Sequence, residues 1–258
     1  MTRPGDPDIA ALYHLHSSNF RERPIDTVLD HDRAPRRMRT YPGSPRFPLP
    51  GRDFAMDAPL GAVLEGRRSI REYDLDVLDP AALGRLLHAG NGLRGYRRLE
   101  GEWTFDRPSP SAGGLYPIEL YVAVQQVGGL GDGVYHYDPR AHELELRNPG
   151  AHHVALADMT IEQPMIESAN VVVAITAVFE RTMWKYGQRG YRYVWLEAGH
   201  VAENLYLAAH ALGLGPAAIG GFFDAEVDEL LRLPADERTI YLLCVGQPAA
   251  AGRLSGST

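Results

Sequence analysis

The arrangement of helical and extended patterns along these 258 residues predicts an α+β fold. Two apolar runs rich in Val and Ile, at residues 118–127 and 170–178, are typical of buried strands. A long amphipathic helix is predicted over residues 192–212. Strands and helices do not alternate regularly along the chain, which favours α+β over a doubly wound parallel sheet.

The first 57 residues predict an arm with little regular structure that wraps on the main body. This segment is rich in Pro, Arg, Asp and His, and its prolines leave room only for a short helix at Ile9–His16. The pattern changes at Ala58. We therefore expect an arm at 1–57, a main domain at 58–248 and a flexible tail of small residues at 249–258.

Two helices are predicted at the start of the main domain. Residues 59–65 suit the first helix, and Asp79-Pro80 is the cap and first-turn signal of the second. The second helix is predicted to end just before Gly90-Asn-Gly92. Residues 93–110 then predict a polar loop with an exposed Trp103.

The rest of the main domain predicts a hairpin, the long helix and a last strand. Residues 134–138 and 143–147 flank Pro139-Arg-Ala-His142, which is a hairpin pattern. The long helix is predicted to end at Gly213. A short acidic helix near 224–231 and a strand at 239–245 complete the domain.

The composition argues against several classes of protein. A formal charge of −7 and a pI near 5.8 argue against a general nucleic-acid binder, which would carry a basic field. The one cysteine, Cys244, excludes an internal disulfide and leaves no cysteine set for a zinc site. No stretch predicts a signal peptide or a membrane span. We expect a soluble protein of a reducing cytoplasm, without a metal.

An arginine-rich segment, Arg67-Arg68-Ser69-Ile70-Arg71, predicts an anion site at the end of the first helix of the main domain. It places three guanidinium groups and a hydroxyl within five residues. Guanidinium groups bind phosphate through two parallel hydrogen bonds. A solvated basic turn is the alternative that the residues alone leave open.

A glycine- and proline-rich loop, Pro110-Ser111-Ala112-Gly113-Gly114-Leu115-Tyr116-Pro117, leads into the predicted strand at Ile118. Its glycines would let the backbone approach a flat ligand, although such a composition also suits an ordinary turn. A second glycine segment, Ala218-Ile219-Gly220-Gly221-Phe222, follows the long helix. It too suits either a close approach of the backbone to a flat ligand or an ordinary turn.

Lys185-Tyr186 lies in a cationic and aromatic segment just before the long helix. Both side chains can donate and accept protons, but a Lys-Tyr pair is also common on protein surfaces. Inside the helix, Glu197 and His200 have the spacing of a metal-ligand pair. Because no second such motif is evident, we interpret them as a helix-packing pair.

Together these segments resemble the flavin-dependent nitroreductase family, and within it the SagB-type azoline dehydrogenases of ribosomal peptide biosynthesis. The Arg-x-Ser-x-Arg pattern resembles the family's flavin-phosphate signature. Ser-Ala-Gly-Gly-Leu-Tyr-Pro is characteristic of the SagB-type branch, and the Lys-Tyr pair lies where azoline oxidases have theirs. The resemblance covers roughly residues 58–248. It implies a nitroreductase-like fold with a mixed central sheet flanked by helices, in a domain-intertwined homodimer.

The resemblance also implies noncovalently bound FMN, buried between two subunits. Lys185 and Tyr186 would be the catalytic residues. General nitroreductases often carry Asn at the position of Gly114. The glycine of this chain would therefore remove one polar contact to the flavin. Contacts to FMN are implied for Arg67, Arg68, Ser69, Arg71, Pro110, Ser111, Ala112, Gly113, Gly114, Gly220, Gly221 and Arg253.

The implied reaction is the two-electron oxidation of thiazoline or oxazoline rings to azoles, with oxygen reoxidising the flavin. Such an enzyme would work beside a cyclodehydratase on a precursor peptide, or on a related natural-product intermediate. Two alternatives stay open. One is a nitroreductase or quinone-type reductase that uses NAD(P)H, whose chemistry does not require the Lys-Tyr pair. The other is a non-catalytic scaffold subunit, which would lack bound flavin.

Overall fold

A computed structural model describes residues 8–21, 34–99 and 101–249. Within these residues, seven strands form one sheet and two further strands form a separate hairpin. The strands are β1 (Arg46–Pro48), β2 (Gly95–Leu99), β3 (Glu102–Asp106), β4 (Ile118–Val124), β5 (Gly133–Asp138), β6 (Glu143–Pro149), β7 (Val171–Ala177), β8 (Gly215–Ile219) and β9 (Arg238–Gly246).

The seven strands lie in the order β1-β6-β5-β4-β7-β9-β8, and each neighbouring pair is antiparallel. The α+β fold is confirmed, but the sheet is antiparallel across these strands and not mixed. At its centre, β4 and β7 are buried along their whole length. Because both of their faces are covered, their sequences are nearly continuous apolar runs without polar alternation.

Helices cover both faces of this sheet. Leu120 of β4 lies in the core shared with the helices at Pro80–Asn91 and Gln188–Ala211, and its neighbour Tyr121 lies in the core on the other face, with the helices at His153–Asp158 and Asp224–Leu230. No described helix is long and apolar enough to cross a membrane. The helices are α1 (Ile9–His16), α2 (Leu60–Gly66), α3 (Pro80–Asn91), α4 (His153–Asp158), α5 (Glu180–Tyr186), α6 (Gln188–Ala211) and α7 (Asp224–Leu230).

Most predicted elements are confirmed, but the polar loop expected at 93–110 is wrong. This segment contains the β2–β3 hairpin, which turns at Gly101 with φ of 90°. Cross-strand pairs hold it together. Tyr96 faces Phe105 with 5.8 Å between ring centroids, and an arginine guanidinium lies 5.3 Å from the ring centre of Trp103. Such pairs stabilise a hairpin that has little core to pack on. Trp103 is 62% exposed, as predicted.

Two helix boundaries differ from the predictions. The Asp79 side chain accepts a hydrogen bond from the backbone of Ala81, as a cap should, but α3 continues to Asn91. The long helix α6 begins four residues before the predicted start at Arg192. It follows α5 directly, and Gly187, with φ of 54°, separates the two.

The predicted arm includes a segment, residues 34–48, that we call the strap. Buried carboxylates of the sheet hold its backbone: the amide of Arg39 donates to Glu119 over 2.8 Å, and that of Tyr41 donates to Glu145 over 3.1 Å. His136 lies between these two acids. Burial disfavours its charged form, but the hydrogen bonds to Glu119 and Glu145 raise the pKa of His136 to about 9.

Candidate active site

The loop between β3 and β4 has an unusual backbone. Gly113 and Gly114 have φ of 62° and 63°, and Tyr116 has φ of 50°. This left-handed region is open to glycine, but it costs a tyrosine of order 1–3 kcal/mol. Ser111 Oγ accepts a hydrogen bond from the Tyr116 amide over 2.9 Å and so joins the two ends of the loop.

Gly113 brings this loop against the predicted catalytic pair. A β-carbon at Gly113 would lie 2.6 Å from Tyr186 Oη and 3.4 Å from Lys185 Nζ. A side chain at this position would therefore push the loop and the pair apart. The structure thus brings together two motifs that are far apart in the sequence.

Lys185 and Tyr186 lie at the end of α5 and are half-buried. The Tyr186 ring meets Tyr193 edge to face, with 5.2 Å between centroids, and Lys185 Nζ lies 5.5 Å from the centre of the Tyr186 ring. An amine and a phenol that are close together and partly accessible can exchange a proton with a bound molecule.

Two arginines near the pair hold the N-terminal segment. Arg192 donates to the carbonyl of His14 over 2.6 Å and to Ser17 Oγ over 2.7 Å. Arg189 donates to the carbonyl of Ser17 over 3.1 Å. These bonds hold α1 against the beginning of α6.

A third arginine, Arg181 of α5, is buried and bonds in three directions. Its Nε donates to the carbonyl of Arg36 over 2.7 Å, and its Nη1 donates to the carbonyl of Tyr116 over 3.1 Å. Its Nη2 pairs with Glu119 Oε1 over 2.6 Å. The loop, the strap and the sheet therefore meet at this guanidinium.

Glu197 is a buried acid on α6, beside the loop. Burial raises the pKa of Glu197 to about 8, and the hydrogen bond with Ser111 and the charges of Arg107 and Arg181 offset only part of this rise. Among the described residues, its Oε1 has no hydrogen-bond partner. His200 is exposed, so the predicted packing pair does not form.

Arg67 and Ser69 meet Tyr206, also on α6. Ser69 Oγ lies 3.1 Å from Tyr206 Oη, and the Arg67 guanidinium lies 5.2 Å from the centre of the Tyr206 ring. Tyr206 Oη accepts a hydrogen bond from the backbone amide of Ala218 over 2.7 Å. The tyrosine therefore fixes the serine hydroxyl next to an arginine.

The other two arginines of this motif differ in their surroundings. Arg68 turns back and donates to the carbonyls of Glu65 and Arg67, each over 2.8 Å, at the end of α2. Arg71 is exposed. Across the described ranges, no carboxylate forms an ion pair with any of the three guanidinium groups. The segment thus keeps its positive charge for an external anion.

The second glycine segment borders a cavity. Gly220 lines an apolar space of about 380 Å³, together with Ala198 and Gly199 of α6 and the side chain of Phe222. Gly221 accepts a hydrogen bond from the amide of Ile161 over 3.0 Å. Arg253 lies outside the described residues.

Within one chain most of the predicted residues fall into two groups around α6, and Gly220 lies apart from both, at the cavity described above. One group surrounds the loop beside Glu197, and the other surrounds Ser69 beside Tyr206. Nine residues separate Glu197 from Tyr206, so they lie about 13 Å apart along the helix axis and about half a turn apart around it. One ligand would have to pass around the helix to touch both groups of a single chain.

The sequence interpretation missed Arg181, Glu197 and Tyr206 as parts of this site. Glu197 did carry a signal, because an acid on the apolar face of an amphipathic helix is unusual. Its neighbours Val194 and Ala198 are buried. Arg181 and Tyr206 lie in segments where such residues are ordinary, and no comparable signal marks them.

Known proteins resemble this chain. The nitroreductase family model matches residues 64–247. MJ1384, a nitroreductase-family protein of Methanocaldococcus jannaschii, is 40% identical over 190 residues, which cover 72% of this chain and 89% of MJ1384. The microcin B17-processing protein McbC of Escherichia coli is 31% identical over 146 residues, which cover 54% of this chain and 52% of McbC.

Solved structures share the fold. The crystal structure of a nitroreductase-family protein from Ralstonia eutropha has a TM-score of 0.67 and 30% identity, and the match covers 80% of this chain and 90% of that one. A chain of the E. coli microcin synthetase McbBCD complex, solved with truncated pro-MccB17 bound, has a TM-score of 0.59 and 20% identity. That match covers 96% of this chain and 84% of the other, and at this identity it shows the fold alone.

Proposed function

This chain belongs to the nitroreductase family of oxidoreductases, and we propose that it is an FMN-dependent dehydrogenase that oxidises azoline rings to azoles. The substrate would be a thiazoline or oxazoline in a ribosomally made peptide or in a related natural-product intermediate. The observation that carries the proposal is the contact of Gly113 with Lys185 and Tyr186. The similarity to McbC, a protein named for processing of microcin B17, supports it.

FMN is the cofactor of this family and of this chain. The donor set fits the group: Arg67, Ser69 and Arg71 offer cationic and hydroxyl donors without competing carboxylates among the described residues, which suits a phosphate. The cavity beside Gly220 is mainly apolar, and aromatic side chains such as Trp195 and Phe222 line it together with small residues, which suits a flat ring. We therefore propose that these residues, with the backbone of Gly221, hold the cofactor.

The rest of the predicted cofactor contacts come from the loop. Pro110, Ser111, Ala112, Gly113 and Gly114 would cover the ring of an FMN held by the partner subunit. The separation of the two groups around α6 supports this arrangement. The contributions of Arg68 and Arg253 remain predictions.

The proposed chemistry needs an acceptor for a proton. Aromatisation of an azoline removes one hydride and one proton from the ring, and FMN, when bound, would supply the acceptor for the hydride. Lys185 or Tyr186 takes the proton, because both lie against the loop that covers the ring. Arg181 and the glycine at position 113 keep the two groups at this place.

We propose that the protein is a homodimer. Leu60 and Leu64 of α2 are 65% and 57% exposed, and Leu196 of α6 is 61% exposed. Exposed apolar side chains on two helices of one chain suit a contact with a second copy. Such a dimer would place the loop of one copy beside the anion site of the other.

We also propose that the protein works with a cyclodehydratase and a precursor peptide. The similarity to McbC, a protein named for processing of the peptide microcin B17, supports such an association. The cytoplasm is the proposed compartment, because the chain has one cysteine, Cys244, and therefore no disulfide within it that would need an oxidising environment.

Substitution of the pair tests this function. Lys185→Ala and Tyr186→Phe should each retain FMN but slow single-turnover flavin reduction by a thiazoline peptide by about 100- to 10,000-fold, the usual range for a general base. Reduction of a nitroaromatic by the chemically reduced flavin should change far less. If both variants reduce flavin at the wild-type rate with the azoline, the pair has no catalytic role and the proposal is wrong.

One observation favours a second candidate function, an NAD(P)H-dependent nitroreductase or quinone-type reductase. The similarity to MJ1384 covers 72% of this chain, whereas that to McbC covers 54%. Stopped-flow mixing of the oxidised protein with NADPH, NADH or a thiazoline peptide separates the two. Fast bleaching of the flavin by a nicotinamide and none by the azoline would favour the reductase.

A further inference from the structure

We propose that Arg181 is a positioning residue that fixes the helix carrying Lys185 and Tyr186 against the Gly113 loop. The proposal rests on the proposed function in so far as it gives the pair a catalytic role. Arg181 would touch neither the substrate nor the cofactor, because only 2% of its side chain is exposed. It would act through the groups that it holds.

The first step concerns α5, which needs an external anchor. The helix has seven residues, no side chain caps its N-terminus, and it ends at Gly187. Isolated helices of this length do not persist in water, so contacts with the rest of the protein set the position of α5. Arg181 and Lys185 are one turn apart on this helix, and the bonds of Arg181 therefore determine where Lys185 lies.

The second step concerns the loop, which needs an anchor as well. Tyr116 is held in the left-handed conformation, and a residue other than glycine keeps it only where its surroundings impose it. Arg181 donates to the carbonyl of Tyr116, three residues from Gly113. One side chain thus holds both partners of the contact between Gly113 and the pair.

The third step extends this frame to the N-terminal part of the chain. Arg181 also donates to the carbonyl of Arg36, and the same carboxylate that it pairs with, Glu119, accepts the amide of Arg39. The strap is therefore bound both to α5 and to the sheet. We infer that the strap is part of the frame of the active site, although it contributes no reacting group.

The charge of Arg181 has to be separated from its geometry in any test. Glu119 is buried and has His136 as its other cationic partner, at 3.3 Å. Loss of the Arg181 charge would leave this acid poorly compensated and would destabilise the whole protein. Arg181→Lys keeps a positive charge beside Glu119, but an ammonium group on a flexible chain does not reproduce a planar fork that reaches three acceptors.

The experiment compares Arg181→Lys with the wild-type FMN-loaded protein by hydrogen exchange and by flavin reduction. Exchange in residues 110–117 and 180–186 should become about tenfold faster, the effect of losing about 1.4 kcal/mol of hydrogen bonding. The rate of flavin reduction at saturating thiazoline peptide should fall about 10- to 100-fold, the effect of a small misplacement. The KM for the peptide should stay unchanged.

Arg39→Lys is the matched control, because Arg39 belongs to the same network but pairs with Asp236 and Glu237. It should leave exchange in both segments and the reduction rate unchanged. Equal effects of the two variants, or wild-type exchange in Arg181→Lys, would overturn the proposal. Should Arg181→Lys not fold, the double variant Arg181→Gln/Glu119→Gln removes both charges and is judged by the same exchange. Because exchange needs no substrate, it decides this inference even if the protein does not oxidise azolines.

Discussion

Replacement of the buried acid Glu197 by glutamine should stabilise the protein, and increasingly so as the pH rises. Burial raises the pKa of Glu197 to about 8 from an ordinary value of 4.5, despite Ser111, Arg107 and Arg181, which favour its charged form. Between pH 4.5 and 8 the folded protein therefore holds one proton that the unfolded chain has lost. The stability contributed by this group is complete below pH 4.5 and is lost as the pH rises towards 8.

The size of the effect follows from the difference between the pKa of Glu197 in the folded protein and its ordinary value. This difference of about 3.5 pH units, at about 1.4 kcal/mol per unit, gives at most about 5 kcal/mol of unfolding free energy. Local hydration of the carboxyl group would reduce this value. Glutamine has nearly the same shape and does not titrate. The difference in unfolding free energy between Glu197→Gln and the wild type should therefore grow by about 1.4 kcal/mol per pH unit from pH 5 to pH 8.

Urea unfolding at pH 5, 6, 7 and 8, with protein and FMN concentrations held fixed, measures this difference. Other titrating groups, such as His136, are present in both proteins and cancel in the comparison. Glu237→Gln is a useful second variant, because burial also raises the pKa of Glu237, with Thr176 and Arg39 as its partners. A difference for Glu197→Gln that is the same at all four pH values would refute the reasoning, because the acid would then titrate normally in the folded protein.

Three further substitutions test the cofactor site, the loop and the dimer. Arg71→Glu should yield a protein with little bound flavin after purification, since it reverses a charge at the proposed phosphate site; full FMN occupancy by absorbance would contradict that site. Gly113→Ala should slow azoline-dependent flavin reduction because its β-carbon would meet Tyr186, whereas Gly129→Ala, with a similar φ of 76° and open space around it, should not. Leu196→Glu should shift sedimentation from dimer to monomer at micromolar concentration. Val154→Glu on α4, which changes a side chain about as exposed as that of Leu196, should leave a dimer. A wild-type protein that sediments as a flavin-loaded monomer would rule out the dimer.

The sequence predicted those elements whose signals are local. β4 and β7 were recognisable because strands buried on both faces are apolar throughout, and α3 because Asp79 caps it. The β2–β3 hairpin was missed because its sequence has no continuous apolar run and its stabilising contacts leave no local pattern. Examples are the cross-strand pair of Tyr96 with Phe105 and the hydrogen bond from Thr104 Oγ1 to the carbonyl of Gly114. The strand order could not be predicted, because β4 pairs with β7 and β7 with β9 across long connections that leave no local pattern.

The candidate site was predicted in its parts but not in its arrangement. Motifs identified the loop and the Lys185-Tyr186 pair, but the contact between them depends on how α5 is placed on the sheet. That placement depends on Arg181, whose acceptors are two backbone carbonyls and one acid from distant segments. Backbone carbonyls have no sequence signature, so such a residue becomes recognisable only in the folded chain.

The two candidate functions differ in whether a proton has to be removed from the substrate. A reductase that takes its electrons from a nicotinamide has no need of a base beside the flavin, whereas an azoline dehydrogenase must remove a ring proton together with the hydride. In this chain two groups that accept a proton in their deprotonated forms, Lys185 and Tyr186, lie against a loop whose glycine leaves no room for a side chain. A buried arginine ties the loop and the pair together. The presence of these two groups beside the loop is the reason that we propose azoline oxidation before reduction, even though the similarity to MJ1384 covers more of the chain.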